Sequence, residues 1–210
     1  KEVSQSGSTN NTWDVNSTSQ NYTRLDSATA TTLDWVGFDI SSASYSQSFS
    51  VAAQEIAPQG IAFNTDGTKM FVVGTAGDDV NEYTLSTGFD VSTATYSQAF
   101  SVAAQDTNPQ DVQFNTDGTK MFVVGDTGDD INEYTLATGF DVSTASFVDS
   151  FSVSAQEAKP QGIAFNPDGT KMFVVGTAVG EVHQYTLTTG FDVSTASYAS
   201  INLSVAAQDT

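Results

Sequence analysis

Apolar and polar residues alternate with a period of two over short stretches, and turn-forming residues separate those stretches. From Tyr96 to Val102, the residues Gln98, Phe100 and Val102 alternate with Ser97, Ala99 and Ser101. Phe100 and Val102 share one face and small residues fill the other, which marks a half-buried strand. Nowhere does the chain hold the 3.6-residue spacing of an amphipathic helix. Strong helix formers are scarce, while Val, Thr, Phe, Tyr, Ser and Gly are common, and this favours strands.

The pattern repeats. Gly37-Phe38-Asp39 recurs at Gly88, Gly139 and Gly190, 51 residues apart each time. Pro58-Gln59 and the run Lys69 to Gly74 return at the same spacing in two further copies. Each unit predicts four strands. The first is Ile61-Ala62-Phe63, and the turn Asn64-Thr65-Asp66-Gly67-Thr68 follows it. The third copy spells that turn Asn166-Pro167-Asp168-Gly169, with Pro, Asp and Gly where a type I turn wants them. The second and third strands are Lys69 to Gly74 and Val80 to Leu85. A polar connection, Ser86 to Thr93, leads to the fourth, Tyr96 to Val102.

About 50 residues and four strands per unit is the signature of a β-propeller blade. One small twisted sheet cannot bury both its faces. Stacked on its neighbours, it buries Phe, Val, Tyr and Leu between blades. The expected fold class is therefore all-β, a propeller built from four-stranded antiparallel blades, with about three blades present. Residues 1–36 lie outside the repeat and read as a polar Ser/Thr/Asn-rich arm, linker or capping strand. The repeats divide as 37–87, 88–138, 139–189 and a partial 190–210. Three blades cannot close a ring, because propellers typically have 4–8. Either the chain continues beyond Thr210 or other subunits supply blades. The last copy has one extra residue between Ser197 and Gln208, which a β-bulge would absorb.

The run Pro58-Gln59-Gly60-Ile61-Ala62-Phe63-Asn64, the following Asp66-Gly67-Thr68-Lys69-Met70-Phe71-Val72, and then Val80, Tyr83 and Leu85 resemble the blade of YVTN/NHL-type and lactonase-like propellers. The resemblance covers the three copies. It implies the fold and leaves the function open, since that fold hosts enzymes, receptors and scaffolds. The near-identical copies and the connector Gly139 to Ser146 are also similar to propeller repeats in structural or tail-fibre proteins of marine bacteriophages.

Charge then narrows the partners. Six Lys+Arg against 25 Asp+Glu give a net charge of −19. Such a surface repels phosphate backbones and anionic lipid, so nucleic acid and membrane surfaces are not expected partners. No apolar run approaches the length of a membrane span. There is no Cys, so neither a disulfide nor a thiolate metal site is available. The chain begins at Lys1 without a signal peptide and reads as a processed chain or a piece of a longer one. Asn10, Asn16, Asn21 and Asn202 begin Asn-x-Ser/Thr sequons, which chance explains in a chain of this composition.

Few residues carry a recognisable chemistry. His183, the single histidine, takes the slot of Asn81 and Asn132 and reads as a polar substitution on a strand. No nucleophile elbow or phosphate-cradling loop occurs. Asp78 and Asp79, with Glu82, recur as Asp129 and Asp130 with Asp126 and Glu133. They are either a candidate calcium site or a solvated acidic loop, and the third copy has Gly180-Glu181 there. No other cofactor is expected. Asp39, Asp90, Asp141 and Asp192 follow Gly-Phe and read as turn caps. Lys69, Lys120 and Lys171 are expected to pair with an acidic neighbour in weak, exposed pairs. Gln59, Gln110 and Gln161 start the innermost strands, where amides either bind sugar hydroxyls or satisfy backbone groups.

The copies are alike almost everywhere, which fits a repeated surface better than a single reactive centre. The expectation is a non-enzymatic structural or attachment protein of a virion, such as a phage tail fibre. It would present equivalent loops to a host-surface glycan or protein and act with avidity. It would work as a homo-oligomer or with other virion or envelope proteins, in a virion or at a cell surface. The alternatives are a secreted or cell-surface adhesion or envelope protein of a bacterium or archaeon, and a lactonase-like hydrolase.

Overall fold

The computed structural model of the chain describes residues 41 and 43–207, and the backbone of residues 3–4, 12–16, 21–25 and 30–33. Residues 37–39 (the first Gly-Phe-Asp copy, with Asp39), Asn10, Trp35 and residues 208–210 lie outside these. The chain divides into two compact units, residues 1–46 and 47–210. In the first, β1 (Val3–Ser4), β2 (Thr12–Asn16), β3 (Asn21–Leu25) and β4 (Ala30–Leu33) pair antiparallel in chain order.

The second unit is three propeller blades, each a four-stranded antiparallel sheet in chain order. Blade 1 holds β5 (Pro58–Phe63), β6 (Lys69–Gly74), β7 (Asp79–Leu85) and β8 (Ala94–Ser101). Blade 2 holds β9 (Pro109–Phe114), β10 (Lys120–Gly125), β11 (Asp130–Leu136) and β12 (Ala145–Ser152). Blade 3 holds β13 (Pro160–Phe165), β14 (Lys171–Gly176), β15 (Glu181–Leu187) and β16 (Ala196–Ser204). The inner strands β5, β9 and β13 adjoin in that order, so they converge on the propeller axis.

The two faces of each sheet have different jobs. Along β6, β10 and β14 the residues alternate between neighbours. Phe71, Val73 and Val80 of blade 1 are fully buried against Met121, Val123 and Tyr134 of blade 2. Phe122, Val124 and Ile131 on the opposite face of blade 2 are buried against Met172, Val174 and Tyr185 of blade 3. Each such side chain contributes about 1.5–3 kcal/mol on burial. A single sheet would leave them wet, so each blade depends on the next.

Two local features set the ends of the strands. At the hairpin after each inner strand, Gly67, Gly118 and Gly169 adopt φ near +70°. A phenyl ring, from Phe89, Phe140 or Phe191 respectively, lies where a Cβ would stand. Those phenylalanines are themselves left-handed, at φ 57–59°. This backbone costs roughly 1–2 kcal/mol per residue. The adjacent Asp90, Asp141 and Asp192 cap short 3-10 helices by accepting from Ser92, Ser143 and Ser194, the turn-cap role read from the sequence. The second feature is a bulge between the outer two strands. In blades 1 and 2 a single residue, Ser97 or Val148, is skipped in the pairing. In blade 3 two are skipped, Ala199 and Ser200, which places the extra residue of the last copy in the bulge. Ser200 takes φ +57° to fit.

Candidate functional site

A groove of about 500 Å³ runs across the axis-side ends of all three blades. Its apolar surface comes from Ile61, Phe63, Phe114 and Phe165 of the inner strands and from Phe140 and Phe191 of the connectors. Thr65, Thr116, Gln113 and the turn asparagines Asn115 and Asn166 supply its polar groups. The asparagines are partly engaged. Asn115 accepts from the Lys120 amide at 3.0 Å and donates to Thr119, and Asn166 repeats both bonds. Among the described residues, no ionisable side chain lines the groove. An apolar floor with a neutral hydrogen-bonding rim suits an uncharged, polyhydroxylated molecule.

The glutamines singled out in the sequence start the inner strands, at the end away from the groove-lining turns. Gln59 and Gln161 are exposed, and Gln59 lines a separate cavity of about 290 Å³ beside Phe49 and Val51. Gln110 is buried and donates to the Asn108 carbonyl at 3.3 Å.

The aspartates sit in the hairpins between the second and third strands. Asp78 and Asp129 adopt φ 53° and 50°, and their carbonyls accept from Val102 and Val153 of the same blade. Gly180 takes that position in blade 3, also left-handed. The backbone conformation therefore accounts for Asp and Gly there, the residue types that tolerate it. Burial raises the Asp78 carboxyl above its ordinary range, helped by repulsion from Asp79, Asp106 and Glu55. Burial raises Asp130 likewise, opposed by a hydrogen bond from Asn132. Among the described residues, no three His, Asp or Glu side chains form a cluster suited to a metal ion.

Glu82 and Glu133 do not belong with these aspartates. Glu82 is buried in the seam, 2.7 Å from Lys69, and its second oxygen accepts from the Val142 amide of blade 2 at 3.1 Å. Lys69 also donates to the Phe140 carbonyl of blade 2 at 2.6 Å. Lys120 and Glu133 repeat the arrangement against Phe191 and Val193 of blade 3. These are clamps between blades, not the exposed pairs expected from sequence. In blade 3 Gln184 replaces the carboxylate.

Three further buried acids were not singled out in the sequence. Glu55 accepts from the amides of Ala57, Ala76 and Gly77. Asp106 accepts from Asn108 and Gly128, and Glu157 from Lys159 and Ala178. Each ties the approach to an inner strand to the next hairpin. The signal was present as Gln54-Glu55, Gln105-Asp106 and Gln156-Glu157 at the repeat spacing. His183 is buried on β15, edge-on to Tyr198, with its Nε2 3.9 Å from a Glu181 oxygen.

No protein-family model matches the chain, and no curated protein matches its sequence. Solved structures do match. A candidate 6-phosphogluconolactonase of Bacteroides fragilis NCTC 9343 superposes with a TM-score of 0.52 at 14% identity, over 70% of this chain and 39% of that one. A second, from Bacteroides uniformis ATCC 8492, gives 0.50 at 12% identity, over 90% and 52%. A protein of unknown function from Desulfotomaculum acetoxidans DSM 771 gives 0.51 at 16% identity, over 90% and 50%. The chain thus spans about half or less of the length of these structures. The expectation that the chain is not an enzyme does not stand, because proteins named as lactonases share its architecture. At these identities the likeness establishes the fold alone: three blades of a β-propeller.

Proposed function

We propose that the chain is a recognition module whose axis-side groove takes a neutral, sugar-like ligand. The observation that carries this reading is the groove itself, with phenyl rings on its floor, hydroxyl and amide groups at its rim and no charged side chain among the described residues. The flat apolar face of a sugar ring suits the phenylalanines, and its hydroxyls suit Thr65, Thr116 and Gln113. The net charge of −19 weighs against phosphorylated ligands. Near-identical blades would let several weak contacts act together, as attachment to a glycan-bearing surface requires. A phage tail fibre or a cell envelope is the setting in which such a module would serve.

A second reading follows from the lactonase names of the structural neighbours: the ligand is a sugar lactone and the groove hydrolyses it. Titration calorimetry with neutral oligosaccharides and sugar lactones tests both. Replacing Gln113 and Thr116 together by Ala should weaken binding by about thirtyfold, since each hydrogen bond contributes about 1 kcal/mol. Binding indifferent to that change places the ligand elsewhere. Lactone hydrolysis above the spontaneous rate, lost in the same variant, would favour the second reading over the first.

A further inference from the structure

On the inner strand of blade 2 the repeat breaks. Gly60 and Gly162 stand at the position of Asp111 in blades 1 and 3, and Ala62 and Ala164 at the position of Gln113. Asp111 and Gln113 both leave β9 on the face turned to blade 3, where their ladder partners Val124 and Phe122 are buried. The seams otherwise match ring for ring. Ala62 pairs with Phe71, which lies 4.3 Å from Phe114 and 6.3 Å from Phe140, ring centre to ring centre. Gln113 pairs with Phe122, which lies 4.6 Å from Phe165 and 6.2 Å from Phe191. Phe114, Phe140, Phe165 and Phe191 all belong to the groove, so it has two aromatic halves of one design. Of the two inner-strand positions beside those halves, Ala62 and Gln113, the second alone is polar.

Asp111 fixes which way that amide points. Its Oδ1 accepts from the Val112 amide at 2.8 Å and its Oδ2 from the Ile163 amide of blade 3 at 3.1 Å. The Gln113 side chain donates to the same carboxylate. Blade 1 presses close on the other side, where a Cβ on Gly60 would stand 2.6 Å from the Asp111 Cα and 2.9 Å from Oδ1. The carboxylate is thus held on both flanks. An ionised carboxylate only accepts, so the part of Gln113 that faces it is the NH2 group. Gln113 lines the groove, and Asp111 lies two residues back along the strand. The Gln113 carbonyl oxygen, Oε1, is left for the groove.

We propose, resting on the reading of the groove as a neutral sugar site, that Gln113 sets the orientation of the ligand and that Asp111 is its positioning residue. Oε1 accepts a hydrogen bond from one ligand hydroxyl, while the ring of the sugar lies over Phe165 and Phe191. The ligand therefore has to donate at this point. The half of the groove between blades 2 and 3 is favoured over its aromatic twin, where Ala62 offers no polar group. Three alike blades thereby hold a ligand in one direction, because one of them differs.

Two measurements on the 210-residue chain separate the pairing from the sugar. In proton–nitrogen correlation spectra, the Gln113 side-chain amide should move toward the position of a solvent-exposed glutamine in Asp111→Gly, which carries the residue of blades 1 and 3 at that position. In the wild-type chain it should shift together with the Asp111 carboxyl as pH falls from neutral, a reading that needs no variant. A Gln113 amide indifferent to the Asp111 carboxyl in either experiment overturns the pairing. Titration calorimetry with cellobiose, whose equatorial hydroxyls leave both ring faces apolar, tests the ligand. Gln113→Ala and Asp111→Gly should each weaken binding about fivefold, as expected for one hydrogen bond, and the double variant no more than either alone. Losses that multiply in the double variant overturn the positioning role of Asp111. Unchanged affinity in Gln113→Ala overturns the role of Gln113. A wild-type chain that does not bind cellobiose overturns the sugar reading and the ligand contact with it, while the Gln113 amide still decides the pairing.

Discussion

Thr68 gives its backbone amide and its hydroxyl to a single oxygen of Asp66, at 3.0 and 2.6 Å. Ser92 and Ser143 treat Asp90 and Asp141 the same way. These bonds hold the carboxyls of Asp66, Asp90, Asp141, Asp117 and Asp168 below the ordinary aspartate value. The fold therefore gains from their ionised forms above that value and loses the gain as pH falls through their lowered range. Asp78, Asp111 and Asp130 run the other way, since burial raises them. Their protonated forms favour the fold, so stability rises as pH falls from neutral through the raised range. Relief of the −19 charge adds to that rise. The melting temperature should climb as pH falls from 7 toward the ordinary aspartate value of about 4 and decline below it. A curve that only falls on acidification would contradict this assignment.

Among the elements, the strands were the most legible part of the chain. Met70 and Phe71 sit side by side in sequence yet pack on opposite faces, Met70 with Phe49 and Val51 and Phe71 against blade 2, and the repeat of Lys69 to Gly74 announces a strand covered on both sides. The extra residue near Ser200 was legible too, because three copies of known length stand beside the fourth. The clamp of Lys69 and Glu82 was not. Its partners, the Phe140 carbonyl and the Val142 amide, lie some 70 and 60 residues away, and backbone groups carry no mark in the sequence. The groove was hidden for the same reason. Phe114 and Phe165 read as strand residues, and only the convergence of three inner strands makes them one surface. Ser200 offers a check on the bulge. A serine at φ +57° bears a steric cost that glycine does not. Ser200→Gly should raise stability by about 1 kcal/mol in urea denaturation. A loss of stability would mean that the Ser200 side chain, not the backbone, holds the bulge.

For the molecule as a whole, stability resides in the seams. The sheets share no strand; blade 2 buries one face against blade 1 and the other against blade 3, and blades 1 and 3 each bury one face against it. Val123 is fully buried in the seam between blades 1 and 2, on the face of β10 turned toward blade 1. A carboxylate introduced there is buried without a partner, which the seam cannot tolerate. Amide hydrogen exchange of Val123→Asp is the most direct test of this dependence. Protection should fall together in β6 and β7 of blade 1 and in β10 and β11 of blade 2. Faster exchange confined to the sheet of blade 2, with blade 1 as protected as in the parent chain, would contradict it.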